Sequence, residues 1–574
     1  MRTIKNSASP QQCMPKKTLI TAALPYINNV PHLGHLVGSH LPADIYARHQ
    51  RHLGKDVLFV GGSDEHGTPA TVKARELGIE PQVLVDALHP VHKEIYEAFD
   101  ITYDVYGRTS TAEHAEHTQR FYKDVKDNGH IEIGEEEQYY CENDELFLPD
   151  RYLSGTCPHC GYEDANGGQC EQCARVLEPV DLEDVTCALC HEEPVLKPAK
   201  QVYLKLDEVN EDLKAWIESK EDAWSPRVYG EAKKWVDEGL KPRSISRDLD
   251  WGVPIPDVDD KVFYVWFDAP IGYQSFIDQD QRGEYWEGDT DITHFLGKDN
   301  VPFHTVFWPG MLHAQGTYNK PDTVVGLSYL LYEGGKFSKS KQRGVFCHNI
   351  LKEPGMSDYL RAYLAKIIPE KTDTDFSWED FQETVENDLV GNVGNYAHRV
   401  ASMAASYFDE PLRNREPTSE DTAFIENIQG LLDTFHEHIE DHQYKKAYKS
   451  FLRVAQRGNQ YIQENEPWKQ VKENRDRAET TLYHAFYAIH ALIVVSSTYT
   501  PKSADRSWQH LLQREDTPIS HEAWESAQEP DTSYAFPDNP EPMYQGFEED
   551  ELQRLKHVFS ESPDLKEYLG GTTE

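Results

Sequence analysis

The stretch from Thr18 to Arg51 constrains the fold more than any other part of the chain. It opens with a short, mostly apolar and β-branched run, residues 18–24, which is typical of a buried parallel strand. From Leu33 onward, apolar residues recur at helical spacing. A strand that turns directly into a helix predicts an α/β fold with a Rossmann-type parallel sheet, in which ligands bind beyond the carboxyl ends of the strands.

The turn itself, residues 25–35, carries side chains that suit phosphate binding. His32 and His35 are three residues apart, so they share one face of the first helical turn. The free N–H groups and the positive end of the helix dipole point the same way. Gly34 has no Cβ and lets a flat group lie against the backbone. The turn is therefore a candidate cradle for a polyphosphate.

A second candidate phosphate element lies far downstream, on a glycine-led loop at residues 333–341. It carries Lys336, Ser338, Lys339 and Ser340. Ammonium groups at such a position stabilise the charge that builds on a pyrophosphate leaving group. Most lysine clusters are only solvated turns, and it is the histidine turn on the same scaffold that favours chemistry here.

The charge balance restricts the partners of the chain. Its 574 residues include 57 basic and 99 acidic ones, a net charge of −42. Taken alone, this argues against nucleic acid, because phosphate contacts need Lys and Arg. Two explanations stay open: local clusters of basic residues, or adaptation to high salt, where the Debye length falls to about 3 Å at 1 M. We hypothesise a salt-adapted cytosol.

Six of the nine cysteines form three CxxC pairs, which favours metal binding over disulfides. Two pairs follow each other closely and predict a structural Cys₄ zinc site, formed by Cys157, Cys160, Cys170 and Cys173. The alternative, two redox-active pairs, lacks a thioredoxin-like setting. The third pair, Cys187 and Cys190, needs further partners. Cys141 and Asp144 have the same spacing.

Further elements follow from periodicity. Strands are predicted near 56–60, 262–267, 292–296 and 323–327. Helices are predicted at 389–407, 422–442, 444–461 and 478–495, and the last is apolar enough to be buried. The acidic tail is expected either to be partly disordered or to pack back as a short helix near 548–559. There is no signal-peptide core at residues 1–17 and no apolar run near transmembrane length, so a cytoplasmic location is expected.

The pair of phosphate elements, HLGH and KFSKS, resembles the signature motifs of class I aminoacyl-tRNA synthetases. The usual second motif has Met where this chain has Phe337, an apolar-for-apolar change. Longer segments at 23–26, 245–248, 264–273 and 303–309 resemble the methionyl-tRNA synthetase family within that class. The resemblance runs from about residue 18 to about residue 468, most of the chain.

The resemblance implies a division into six parts. Residues 1–129 and 243–328 are the two halves of a Rossmann catalytic domain, split by a zinc-binding connective insertion at 130–242. A KMSKS-type loop and stem-contact region at 329–388 precedes an α-helical anticodon-binding domain at 389–530. Residues 531–574 are the acidic tail. Lacking a C-terminal dimerisation domain, the chain is expected to be a monomer.

The resembling segments describe a methionine site at loop–strand junctions. A thioether favours aromatic neighbours, and Asp64 at a strand end could pair with the substrate ammonium group. By resemblance, Arg247 braces Asp64. Singly, most of these residues would be core positions or helix caps. The expected methionine-binding residues are Leu24, Tyr26, Asp64, Arg247, Trp266, Ala269, Pro270, Tyr273, His304 and Trp308.

The resemblance also implies an activity. His32 and His35 would hold ATP, while Lys336 and Lys339 would act on the pyrophosphate, with Mg²⁺ accompanying ATP. Asn395, Arg399 and Trp468 match residues that contact the anticodon in the family. Some archaeal and eukaryotic relatives have CxxC where Cys141 and Asp144 stand, which implies one zinc ion, or two if Asp144 is a ligand with Cys187 and Cys190. The expected reaction is methionylation of initiator and elongator tRNA(Met).

Two other functions stay open at this point. An HxGH-type nucleotidyltransferase acting on a small molecule would share both phosphate elements, but it would not need an anticodon-type helical domain. A non-catalytic, zinc-containing RNA-binding protein would not need intact HLGH and KFSKS motifs. ATP–pyrophosphate exchange over a panel of amino acids separates the three.

Overall fold

The fold was analysed in a computed structural model. It describes residues 16–148, 152–170, 172–173, 175–177, 179–279, 281–335, 337, 343–515, 517–519 and 521–569. The strands in this part of the chain are β1 (Lys17–Ala22), β2 (Asp56–Ser63), β3 (Val105–Arg108), β4 (Ile131–Cys141), β5 (Leu146–Phe147), β6 (Leu153–Thr156), β7 (Ala165–Asn166), β8 (Gly168–Gln169), β9 (Val176–Leu177), β10 (Glu183–Cys187), β11 (Val195–Leu204), β12 (Arg243–Ser244), β13 (Ser246–Arg247), β14 (Val262–Phe263), β15 (Thr290–Gly297), β16 (Thr323–Leu327), β17 (Leu330–Tyr332) and β18 (Thr374–Phe376).

Helices account for most of the remaining regular structure. They are α1 (Leu33–His35), α2 (Leu41–His52), α3 (Thr68–Leu77), α4 (Pro81–Ala98), α5 (Ala112–Asp127), α6 (Asn210–Glu218), α7 (Pro226–Glu238), α8 (Val265–Asp278), α9 (Trp308–Gln315), α10 (Ser357–Ile367), α11 (Trp378–Glu383), α12 (Asn395–Tyr407), α13 (Ser419–Glu440), α14 (Tyr444–Asn465), α15 (Pro467–Glu473), α16 (Arg475–Ser496), α17 (Pro501–His510), α18 (His521–Ser526), α19 (Glu549–Ser560) and α20 (Leu565–Tyr568). π-Helical turns at Leu36–His40, Phe303–Phe307 and Thr384–Gly394 run directly into α2, α9 and α12.

A five-stranded parallel sheet forms the centre of the catalytic half, in the order β16–β15–β1–β2–β3. The chain leaves β1 toward β2 on one side and returns at β15 on the other. The topological switch point therefore lies at the carboxyl end of β1, where α/β sheets place their ligands. The prediction of a Rossmann-type sheet is confirmed.

Residues between β3 and β15 include the cysteine-rich insertion. Its long strands β4 and β11 pair antiparallel over ten residue pairs, from Val195 with Tyr140 to Leu204 with Ile131. Small strands hold the cysteines on a separate apolar cluster that includes Leu148, Tyr152 and Leu153. The insertion thus has a core of its own beside the catalytic sheet.

One predicted strand is wrong in part. Residues 262–267 were expected to be extended, but β14 ends at Phe263 and α8 begins at Val265. The run is short and almost uniformly apolar, so its periodicity cannot distinguish a buried strand from a buried helix. The helix is buried on nearly every side, including Phe267, Ile271 and Phe276.

The C-terminal half is a helical bundle built around α16, whose residues 478–496 are all buried. Helices α13 and α14 pack against it as an antiparallel pair. The bundle contacts the catalytic half directly, because His49 Nε2 lies 2.9 Å from His436 Nδ1 and Gln50 donates to Glu440. The predicted short helix in the tail is also confirmed, as α19.

Candidate active site and metal centres

The turn after β1 is fixed by the second central strand. Ile27 N donates to Asp64 O at 3.1 Å, and Asp64 N donates to Pro25 O at 3.0 Å. This pairing places the end of β1 and the end of β2 side by side. The two strand-end motifs predicted separately from the sequence therefore face one space.

The two histidines cap the start of the helix together. His32 Nδ1 accepts a hydrogen bond from Gly34 N at 3.0 Å, and His35 Nδ1 accepts one from His32 N at 3.2 Å. Their ring centroids lie 3.9 Å apart. A Cβ on Gly34 would lie 2.8 Å from His32 Cε1, which explains the glycine. The arrangement leaves both rings at a helix N-terminus, as a phosphate cradle requires.

The second phosphate element reaches the first through one described residue. Phe337 stacks on His32, with ring centroids 4.6 Å apart and an interplanar angle of 6°. Gly344 lies under the same ring, since a Cβ there would be 2.7 Å from Phe337. The predicted residues Lys336, Ser338, Lys339 and Ser340 lie outside the described residues.

A cavity of about 690 Å³ opens at this edge of the sheet. Most of the predicted ATP and methionine residues line it. They are Leu24, Tyr26, His32, Gly34, His35, Asp64, Trp266, Ala269, Pro270, Tyr273 and His304. Residues from both strand ends, from α8 and from the segment after β15 thus converge on one space.

The aromatic side of the cavity is held in place by hydrogen bonds. Trp266 Nε1 donates to Tyr26 OH at 3.0 Å. His304 Nδ1 donates to Asn300 O at 3.1 Å, so its Nε2 is left to accept from Tyr273 OH at 3.0 Å. Burial lowers the pKa of His304 to about 4. The ring is therefore neutral at physiological pH, and this wall carries no charge.

Asp64 is the acidic exception. It is buried, and its Oδ1 has no hydrogen-bond partner among the described residues. Burial, and then the neighbouring carboxylate of Asp268, raise the pKa of Asp64 well above its usual value. The carboxylate of Asp268 is itself hydrogen-bonded to His66 at 2.6 Å and to His114 at 2.5 Å. A buried carboxylate with an open oxygen is a site for a cation such as an ammonium group.

Two predicted methionine residues lie behind the cavity instead of lining it. Trp308 is fully buried and packs edge-on against Trp286 at 5.7 Å. The Arg247 guanidinium lies 3.7 Å from the centre of the Tyr264 ring and donates to Ser246 O at 2.9 Å. Tyr264 does line the cavity. Neither side chain lines the cavity, and Arg247 supports its wall through Tyr264. A contact of either residue with methionine stays a prediction.

Several residues that line the cavity were not predicted from the sequence. Gly297 is the last residue of β15, Asp299 and Asn300 follow that strand, and Tyr329 follows β16. The Tyr329 hydroxyl donates to the Asp299 carboxylate. The sequence did contain a signal for these positions. Ligands bind beyond the carboxyl ends of parallel strands, and this rule, which selected Asp64 at the end of β2, applies equally to the end of β15.

The first cysteine cluster forms as predicted. Cys157, Cys160, Cys170 and Cys173 place their ligand atoms within 4.8 Å of one another. Sulfur–sulfur distances are 3.9 Å between Cys157 and Cys173 and 3.7 Å between Cys160 and Cys170. A tetrahedral zinc site with bonds of about 2.3 Å needs edges close to this length. Asn166, Gly167 and Cys170 also line the large cavity, so the cluster adjoins it.

The second cluster forms as well, with aspartate in one position. Cys141, Asp144, Cys187 and Cys190 lie within the same 4.8 Å limit. Asp144 Oδ2 is 3.1 Å from Cys141 Sγ and 3.3 Å from Cys187 Sγ. Carboxylate oxygen and thiolate sulfur are both zinc ligands, so the residues fit a Cys₃Asp site.

On the helical bundle, the structure brings two predicted anticodon residues together. The Arg399 guanidinium lies 5.1 Å from the centre of the Trp468 ring. Asn395 is exposed one helical turn before Arg399 on α12. A half-buried tryptophan beside a guanidinium and an amide suits an unstacked RNA base.

Family comparisons agree with this geometry. Residues 18–401 match the family model described as tRNA synthetases class I (M). Residues 413–564 match the anticodon binding domain of methionyl tRNA ligase. The fold and the signature motifs therefore define a class I aminoacyl-tRNA synthetase. No helix in the described part of the chain is long and apolar enough to cross a membrane.

Full-length relatives specify the family. The chain is 42% identical over 506 residues to the methionine–tRNA ligase of Parabacteroides distasonis, covering 86% of this chain and 74% of that one. With the enzyme of Aeropyrum pernix it shares 39% over 508 residues, covering 86% and 88%. The chain belongs to the methionine–tRNA ligase family, enzymes that activate methionine and charge tRNA with it.

A solved structure shows the same architecture. It is Mycobacterium tuberculosis methionyl-tRNA synthetase bound by methionyl-adenylate. Its TM-score to this chain is 0.76 at 25% sequence identity, over 92% of this chain and 100% of that one. The predicted family and fold class are confirmed.

Proposed function

We propose that the cavity at the carboxyl end of β1 holds methionine and ATP side by side and joins them as methionyl-adenylate. The observation that carries this proposal is Asp64, a buried carboxylate with an open oxygen in a neutral, aromatic wall. It would bind the substrate ammonium group, while Tyr26, Trp266 and Tyr273 surround the thioether. Its position beside the histidine turn brings the methionine carboxylate toward ATP.

The reaction proceeds in two displacements. A methionine carboxylate oxygen attacks the α-phosphorus of ATP, and the bond to the bridging oxygen breaks as pyrophosphate leaves. A ribose hydroxyl at the 3′ end of tRNA(Met), initiator or elongator, then attacks the carbonyl carbon and displaces AMP. Catalysis is mainly positioning and charge stabilisation.

His32 and His35 would contact the phosphates from the helix N-terminus, with Gly34 leaving room for the nucleotide. Lys336 and Lys339 would neutralise the departing pyrophosphate, assisted by Ser338 and Ser340. Mg²⁺ would accompany ATP and add positive charge at the same phosphates. These roles follow from the sequence motif and from the Phe337–His32 stack, which supports a position of the loop over the turn.

Both cysteine clusters would hold structural zinc, because four protein ligands leave no open position. The first would order the hairpin that reaches the cavity, and the second would tie β4 to the later knuckle. Zinc there supplies folding energy and no step of the reaction.

Anticodon bases would be recognised by Asn395, Arg399 and Trp468. The supporting observation is the guanidinium–indole contact, which leaves a flat surface for a splayed base. This region lies inside residues 389–530, which we propose as the anticodon-binding domain. We further propose a cytoplasmic monomer.

The deciding experiment is tRNA-independent ATP–pyrophosphate exchange with a panel of amino acids. Methionine alone should support exchange. Exchange with no amino acid, or only with a non-amino-acid substrate, would favour a small-molecule nucleotidyltransferase. Absence of any exchange, with tRNA binding intact, would favour a non-catalytic RNA-binding protein.

A further inference from the structure

One face of α14 carries a line of basic side chains in a chain that is otherwise strongly acidic. Lys446, Lys449, Arg453 and Arg457 follow at spacings of three and four residues, so they project from a single side of the helix. The opposite side is buried in the bundle through residues such as Tyr448, Phe451 and Ala455. Over the eleven residue-to-residue steps from Lys446 to Arg457 the helix rises about 16 Å.

Three of these cations make no ion pair within 4.0 Å among the described residues. They are Lys446, Lys449 and Arg453, all of them exposed, and the nearby carboxylate of Glu370 interacts with Lys446 only at longer range. Acidic residues outnumber basic ones by 99 to 57, and nearby lysines are paired, as Lys366 is with Asp388 at 2.8 Å. Arg457 at the far end is paired with Glu464 at 3.2 Å. Unpaired cations that cluster in such a chain point to an anionic partner from outside it.

The surroundings of the line include charged groups of both signs. His438 on α13 lies beside it, and the pKa of this histidine is lowered first by partial burial and then by Lys446. The carboxylates of Asp441 and Glu437 act in the opposite direction, and Arg453 adds a smaller lowering effect. Lys446 and Arg453 are therefore close enough to α13 to share one surface with it.

The line of basic residues lies between the catalytic half and the proposed anticodon residues. At its first end, Lys445 N donates to a carboxylate oxygen of Glu370 at 2.7 Å, next to the catalytic half. Further along, Asn392 Nδ2 donates to Leu452 O at 3.1 Å, three residues before Asn395. It thus leads from the catalytic side of the bundle toward the proposed anticodon residues.

We propose that Lys446, Lys449 and Arg453 form a phosphate track that holds the tRNA backbone between its anticodon and its acceptor end. The proposal rests on the proposed function, because the RNA it binds is the tRNA that the enzyme charges. An acidic protein segment has the charge but would meet repulsion from a surface of net charge −42 wherever it extended beyond the track. The line of cations lies between the catalytic half and the proposed anticodon residues, so its position suits a tRNA that reaches both sites.

Phosphate contacts position a nucleic acid without reading its sequence. The track therefore supplies affinity and register, while Asn395, Arg399 and Trp468 supply discrimination. Local clustering of unpaired cations also resolves the conflict between the acidic composition and an RNA substrate.

The test uses the full chain with Lys446→Gln, Lys449→Gln and Arg453→Gln combined. Affinity for tRNA(Met) transcript is measured against KCl concentration, over the range in which intrinsic fluorescence shows the protein folded. The logarithm of the affinity falls linearly with the logarithm of the KCl concentration, and each lost phosphate contact reduces the magnitude of that slope by about 0.7–0.9. The slope of the triple variant should therefore be smaller by about two to three units. Its affinity at the lowest salt should fall at least about tenfold.

A matched control has the same net charge. Lys93→Gln, Lys123→Gln and Lys234→Gln remove three exposed lysines from α4, α5 and α7, away from the bundle. This variant should keep the wild-type slope. The double variant Lys446→Arg, Lys449→Arg should also keep the wild-type salt slope, because both positive charges are retained. Thermal melting of each variant shows that the fold is unchanged.

Outcomes separate this proposal from the one on which it rests. If the wild type charges tRNA but the triple variant keeps the slope and affinity of the control, the track is refuted. If the track variant and the lysine control variant show the same reduction in salt slope, the effect comes from overall charge, and the track is also refuted. If the wild type neither exchanges with methionine nor charges tRNA, it is the proposed function that fails. Methionine-dependent exchange by the triple variant should equal wild type, since that step needs no tRNA.

Discussion

The catalytic cavity and the RNA-facing side of the bundle use burial in opposite ways. Around the cavity, Asp64, Tyr273 and His304 are all buried. Tyr273 and His304 are hydrogen-bonded to each other, whereas Asp64 keeps one oxygen without a partner among the described residues. On the bundle, Asn395 and Lys449 are exposed and held by little besides their helix. A small substrate must be enclosed, whereas a large polyanion can be held at many exposed points. The difference predicts which changes will be severe and which graded.

Asp64→Asn gives the largest expected effect. Removing one partner of a buried charge pair costs about 3–5 kcal/mol, which corresponds to a loss of at least about 10²-fold in kcat/KM for methionine. tRNA affinity should not change. ATP–pyrophosphate exchange and tRNA binding measure the two effects separately. Equal losses of exchange activity and of tRNA affinity would contradict the contrast between the two regions. Asp289→Asn, at an exposed position, serves as the control and should change neither.

The same substitution should stabilise the empty protein at neutral pH. Because the folded pKa of Asp64 is raised, the folded state holds this proton more tightly than the unfolded state does. Its contribution to stability therefore falls as pH rises above the unfolded value of about 4. Thermal melting without methionine should show Asp64→Asn above wild type at pH 8, with the difference closing toward pH 4. A lower melting temperature at pH 8 would contradict this sign.

Trp468→Ala should have an intermediate effect confined to tRNA. Loss of base–aromatic stacking costs about 1–3 kcal/mol, or roughly 5- to 150-fold in kcat/KM for tRNA(Met). Methionine-dependent exchange should be unchanged, because the residue lies on the bundle. Trp468→Phe keeps a stacking surface and should recover much of the loss. The salt slope of binding should stay at the wild-type value, unlike that of the phosphate-track variant.

The two cysteine clusters of the insertion differ in the same way, because the first adjoins the cavity and the second does not. We expect two zinc ions per chain by metal analysis, falling to one in Asp144→Ala, while methionine exchange persists because the second cluster does not line the cavity. Glu142→Ala, an exposed neighbour, should keep both ions. One zinc ion in the wild type would refute the Cys₃Asp site. Cys170→Ser should lower exchange as well as zinc content, since that residue lines the cavity.

Potassium chloride should produce the most gradual change. Screening weakens repulsion among the surplus acidic groups, so the melting temperature should rise by several degrees between about 0.1 M and about 2 M salt. Exchange in the enclosed cavity should tolerate this salt better than tRNA binding at exposed phosphates. An activity optimum at low salt, without loss of structure on desalting, would contradict a salt-adapted cytosol.

Local spacing was enough to predict the elements that depend on local geometry. His32 and His35, the CxxC pairs and Asp64 all carry their meaning within a few residues, and each lies where that spacing implied. Residues 262–267 were misassigned because a short apolar run fits a buried strand or a buried helix equally well.

Other features depend on tertiary contacts that no short pattern encodes. The motifs did not show that Trp308 and Arg247 lie outside the cavity lining, because a motif does not tell which of its side chains faces the cavity. Asn300 escaped notice although it fixes the tautomer of His304. The unpaired state of Lys449 is likewise invisible in sequence, since it depends on which acidic groups the fold brings near.

Helix α19 has a consequence for how the molecule is made. Leu33 N donates to Val345 O at 3.2 Å, and Phe346 N donates to Phe559 O at 3.0 Å, so the histidine turn rests on a segment that rests in turn on the last long helix. During synthesis, the turn emerges first and its outer support emerges more than five hundred residues later. Ribosome-bound chains therefore carry the signature motif long before its support exists. Emergence of α19 is therefore the step that supplies the outer support of the site.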